Sequence, residues 1–126
     1  MTTPRTVLGL GALVFIVIGA LFLVAPAYWA AVVDIGVPTA MARTDFRATY
    51  GGFDLCFGLF LGHCTLRPDW IRPGLVAMGL ALAGYAGGRL VGFFVEGTAD
   101  RLMIIFGALE AIGAMAAFML QARLAR

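Results

Sequence analysis

Residues 45–64 read DFRATYGGFDLCFGLFLGHC. Whether this stretch crosses a membrane decides the fold. Twenty residues of helix suffice for about 30 Å of hydrocarbon, and the second half is apolar. Yet Asp45, Arg47 and Asp54 sit in or near its outer half. Charge inside a bilayer costs roughly 2.5–3.5 kcal/mol per residue on insertion scales. Such residues are tolerated where they pair, line a cavity or do work. Read as a span, the stretch brings the crossings to four and puts both termini on one side.

The rest of the chain favours that reading. Of 126 residues, 62% are hydrophobic and 13% charged, against about 25% charged in soluble domains. Mean hydropathy is +0.97. Three further stretches have spanning length, near residues 6–25, 73–95 and 101–121. Pro26 ends the first, and Pro73 suits the first turn of the third. The apolar run near the N-terminus exceeds the 7–15 residues or so of a signal-peptide core, so it reads as a retained helix. The expected fold is an all-α, four-helix transmembrane bundle, one integral-membrane domain over residues 1–126.

Arginine placement orients it. All nine basic residues are Arg. With four crossings, one side holds Arg5, Arg67, Arg72, Arg123 and Arg126 against Asp69. The other holds Arg43 and Arg101 against Asp34, Asp45, Glu96 and Asp100. The positive-inside rule makes the first side cytoplasmic, so both termini are expected there, in the inner (plasma) membrane of a bacterium. The segment between helices 1 and 2 carries Tyr28, Trp29, Val32, Val33, Ile35, Val37 and Met41. Such a segment belongs on the outer interface or serves as a lid. Residues 66–72 read as a short cytoplasmic anchor.

The intramembrane charges form a constellation. At 100° per residue, Arg47, Tyr50 and Asp54 share one face of the second helix. Tyr85, Arg89, Gly92 and Glu96 share a face of the third, and Met103, Phe106, Glu110, Gly113 and Ala117 one of the fourth. Asp54, Arg89 and Glu110 fall roughly 9–14 Å below the outer helix ends at about 1.5 Å per residue. The expected arrangement has Arg89 bridging Glu110 and Asp54, with Arg47 and Tyr50 closing the top. A fork-like guanidinium suits two carboxylates. The cluster is either a buried salt-bridge network that fixes helix orientation or a ligand site.

Small residues recur at four-residue spacing: Gly84, Gly88 and Gly92, and Gly79, Ala83 and Gly87. They permit close helix approach, within the bundle or toward a homo-oligomer or larger membrane complex. Cys56 and Cys64 lie eight residues apart on one helix, about 12 Å and too far for a disulfide; they read as packing residues. His63 is the sole histidine and reads as interfacial. With no CxxC and no second histidine, neither a metal nor a haem is expected. No GxSxG, HExxH or P-loop occurs, and a net charge of +2 does not suggest nucleic acid.

The run Thr44-Asp45-Phe46-Arg47-Ala48-Thr49-Tyr50-Gly51-Gly52, with Gly58, Gly88-Arg89, Gly97 and Leu109-Glu110, resembles the signature of a small bacterial membrane family, the domain of unknown function numbered 4345. The resemblance spans nearly the whole chain and implies a four-helix membrane protein. It supplies no activity. Three functions follow as expectations. The first is a non-catalytic accessory or interaction component, supported by the small-residue ribbons and the lack of catalytic motifs. The second is binding or transport of a small polar or amphiphilic ligand at the Arg/Glu/Asp cluster. The third is a membrane enzyme acting on a lipid or isoprenoid. A cavity reaching the cluster discriminates the second from a packed, dry network.

Overall fold

The computed structural model describes residues 2–124, so Arg126 lies outside the described residues. The regular structure of those residues is all helix, with no strand among them. α1 covers Thr2–Val24. α2 (Pro26–Val32) follows at once, with Pro26 at its first position, where a missing N–H costs nothing. α3 (Ala40–Phe46) starts at Thr39, whose side chain accepts from the Ala42 amide. A π-helical segment, Arg47–Phe53, leads directly into α4 (Asp54–Leu66). α5 is Pro68–Glu96 and ends on Gly97 at φ 69°, a left-handed cap that suits glycine. α6 is Arg101–Arg123, capped by the Asp100 side chain.

Three helices are long and apolar enough to cross a membrane: Thr3–Val24, Pro68–Glu96 and Arg101–Arg123. The stretch expected over 45–64 is helical from 40 to 66, but in three pieces. Both junctions keep right-handed helical dihedrals, Phe46 at φ −62°, ψ −38° and Asp54 at φ −63°, ψ −40°, so the chain never leaves a helical path. What changes is the hydrogen-bond period, which lengthens across 47–53.

The start of the next helix differs from expectation. α5 begins at Pro68 instead of Pro73, because Arg67 alone, extended at φ −122°, ψ 117°, makes the turn and Pro68 takes the first helical position. The expected anchor loop is therefore mostly helix, and Trp70 packs edge-on to His63 and Phe60. Pro73 lies inside α5 near its start.

The helices pair as two hairpins. α1 lies along the π segment and α4, and α5 lies along α6. Glycines make the first seam tight. A Cβ on Gly58 would meet Ile16 N at 2.6 Å, and one on Gly51 would meet Leu23 Cα at 2.9 Å. One on Gly19 would strike the Leu55 backbone. The two hairpins join at the end near Arg67, where Leu8, Phe15, Leu61, Cys64, Leu75 and Met78 are buried together. Toward the opposite end they part.

Candidate functional site

Where the hairpins part, they leave a cavity of about 710 Å³. Its wall is overwhelmingly apolar: α1 gives Val14, Phe15, Ile18 and Phe22, and α6 gives Met103, Phe106 and Leu109. Residues after helix α1 fold across it, with Trp29, Val32, Val33 and Ile35 on its lining. The apolar inter-helix segment thus supplies part of the cavity wall. One side stays open between α1 and α6, since Val14, Ile18 and Leu109 line the cavity yet are exposed.

Beside Tyr50, four polar side chains reach this space in two pairs. Arg89 holds Glu110 with a fork: Nε donates to Oε2 and Nη2 to Oε1, both at 2.9 Å. The third contact is Nη1 to the Met103 sulfur at 3.0 Å, and the guanidinium carbon stands 5.4 Å from the Phe106 ring centre. The expected Arg89–Glu110 pairing is therefore present. It is part-buried and not buried, with side-chain exposures of 26% and 15%, because both groups line the cavity.

Asp54 pairs differently from expectation. Its carboxylate accepts from Tyr85 Oη at 3.0 Å and forms no ion pair with Arg89. Both partners come from α5, one turn apart, so a single helix holds the two acids at separate stations. Arg89 cannot bridge them because its fork is already filled by Glu110. Asp54 is 3% exposed and is the buried charged residue of the described chain.

Arg47 does not close the top. Its Nε donates to the Leu23 carbonyl at 3.2 Å, on the α1 side. The π segment explains the departure: i→i+5 bonding breaks the 100° step that put Arg47 over Asp54. Tyr50 does line the cavity, its ring tilted against Phe46 at 4.8 Å and Phe22 at 5.6 Å between ring centres. Two residues were legible on their stripes but not assigned a role: Tyr85, four residues before Arg89, and Phe106, four before Glu110. The contribution of α1 carried no signal, since that helix is apolar all round.

The small-residue ribbons divide. A Cβ on Gly79 would meet Phe118 at 2.8 Å, so that glycine packs inside the chain. Gly84, Gly87, Gly88 and Gly92 would meet nothing within 4 Å, and they are no seam between these helices. Cys64 is buried and Cys56 exposed, both free. No group of three metal-ligating side chains occurs among the described residues.

The chain belongs to the family described as a domain of unknown function (DUF4345), whose model matches residues 4–121. Comparison with curated proteins and with solved structures yields no match.

Proposed function

We propose that this protein binds an amphiphilic small molecule in the cavity between its two helix hairpins. The observation that carries the reading is the cavity itself. Its volume lies in the range of about 300–1,000 Å³ that suits small-molecule ligands. Its wall is apolar apart from two convergent polar stations, Asp54–Tyr85 and Arg89–Glu110. Apolar surface takes up a hydrophobic tail; a few placed polar groups orient a head.

On this reading the helical stretch 40–66 is a fourth crossing. At about 1.5 Å per residue it is long enough for a bilayer. Its charges are then reconciled with lipid: Asp54 faces Tyr85, and Arg47 caps a carbonyl. Both termini lie in the cytoplasm of a bacterial cell by the arginine asymmetry, and the cavity opens toward the outer leaflet. Its open side between α1 and α6 admits ligand laterally from lipid.

Trp29 on the lining supplies the test. In a Trp70→Phe protein Trp29 is the sole tryptophan. A cavity ligand should produce a saturable change in its emission in maltoside micelles. Val14→Phe, which adds a ring to the wall, should weaken that change. No saturable response to cationic, neutral or anionic amphiphiles would refute the proposal.

The open face of α5 supports a second reading, as an interaction component. Gly84, Gly87 and Gly88 are exposed and unopposed among the described residues, and small residues at this spacing suit close contact with another membrane helix. Cysteine cross-linking at position 84 or 88 in membranes tests it; failure to cross-link to itself or to any partner counts against it.

A further inference from the structure

We propose that the ligand is a lipophilic cation, an amphiphile whose ammonium head is neutralised by Asp54. This deepens the cavity-binding reading and rests on it. The charges on the cavity wall decide the sign. Arg89 and Glu110 cancel, and their fork is closed by two hydrogen bonds of 2.9 Å. The remaining guanidinium nitrogen is turned to the Met103 sulfur, and the guanidinium carbon stands over the Phe106 ring. Arg89 therefore offers an anion little.

Of the other arginines at this end, Arg101 is exposed and outside the cavity lining, and two are engaged. Arg47 donates to the Leu23 carbonyl, and Arg43 donates to the carbonyls of Val37 and Pro38 at 3.4 and 2.9 Å. Neither lines the cavity.

Asp54 is left over. It lines the cavity, is almost wholly removed from solvent, and receives one hydrogen bond, from Tyr85, with no cation beside it. An ionised carboxylate without a counter-charge is unstable in a low-dielectric site. An entering anion would double the uncompensated charge; an entering cation would remove it.

Aromatic rings complete the chemistry. Tyr85, which holds Asp54, has its ring centre 6.5 Å from that of Phe15 on the cavity lining, and Tyr50 lies one turn before Asp54 on the same helical stretch. Ring faces attract alkylammonium groups through their quadrupoles, as in aromatic cages for quaternary ammonium. A carboxylate that shares an apolar cavity lining with aromatic rings is complementary to a cationic head on a hydrocarbon tail.

The experiment holds the tail constant and changes the head. Dodecyltrimethylammonium, dodecanol and dodecyl sulfate are titrated, at equal mole fractions of the maltoside micelle, into the Trp70→Phe protein, and the Trp29 response is read. The cation should bind at least about tenfold more tightly than either other compound. In Asp54→Asn, which keeps a side chain able to accept from Tyr85, that advantage should vanish while dodecanol binding persists. Equal or stronger binding of the alcohol or the sulfate overturns the assignment and leaves the cavity reading standing. So does a cation preference that survives in Asp54→Asn. Binding of none of the three removes the cavity reading and this assignment together. The head-group order in the unaltered Asp54 protein decides the question even where Asp54→Asn fails to fold.

Discussion

Tyr85 on α5 donates its phenol to Asp54 on α4 at 3.0 Å, across 31 residues of chain. This bond ties one helix hairpin to the other at the edge of their apolar contact, where Tyr85 still packs on the core and also lines the cavity. It is also what lets a carboxylate stay buried there. An unmade hydrogen bond to a buried charged group costs more than a made one contributes.

Tyr85→Phe should therefore destabilise the protein by about 1–3 kcal/mol, read as the unfolding midpoint in mixed micelles. In an Asp54→Leu background the same change should cost close to nothing. Equal costs in both backgrounds would show that Tyr85 acts by packing alone.

The Arg89–Glu110 fork makes a parallel case with a different partner geometry. Arg89→Gln or Glu110→Gln alone leaves one charge facing an apolar cavity. Each single change should cost about 1–3 kcal/mol, and the double change should cost less than the two costs added together. Strict additivity would mean the 2.9 Å contacts contribute no coupling.

These pairs show where sequence reading succeeds. Arg89 and Glu110 were identifiable because opposite charges at one depth on neighbouring spans have few places to go. Asp54 was placed at that level too, but its partner was not, since a tyrosine carries no charge to demand one. The π segment was invisible: Arg47–Phe53 has no proline or repeat to mark a longer hydrogen-bond period, and the 100° wheel misplaced Arg47 accordingly. Gly19 escaped notice because α1 is apolar on every face, so nothing in its pattern says which side meets α4. The ribbon of Gly84, Gly88 and Gly92 was conspicuous, yet it packs against nothing among the described residues.

Arg43 holds the covering segment in place. It is half-buried and bonds the carbonyls of Val37 and Pro38, which end the stretch that carries Ile35 onto the cavity. Arg43→Ala should speed amide exchange within residues 34–42 by an amount equal to about 0.5–1.5 kcal/mol of local opening. Exchange in α5 and α6 should not change. Faster exchange throughout would mean Arg43 stabilises the whole fold and not the cover.

Two sets of glycines should respond in opposite ways to the same substitution. At Gly58 an added methyl would sit 2.6 Å from Ile16 N and 2.9 Å from Ala12 O. Those are backbone atoms of a packed helix, which yield only if α1 moves. Gly58→Ala should cost about 1–3 kcal/mol as overpacking, and Gly19→Ala should cost no less. At Gly84 and Gly88 nothing lies within 4 Å, so alanine there meets no neighbour and gains helix propensity of roughly 0.8–1 kcal/mol. Those variants should unfold at the same or higher denaturant. If α5 docks on another helix through this face, the same variants should also associate more weakly in membranes, because the methyls hold the backbones apart. Stability that rises while cross-linking falls would separate the glycines that build this fold from those that serve a contact outside it.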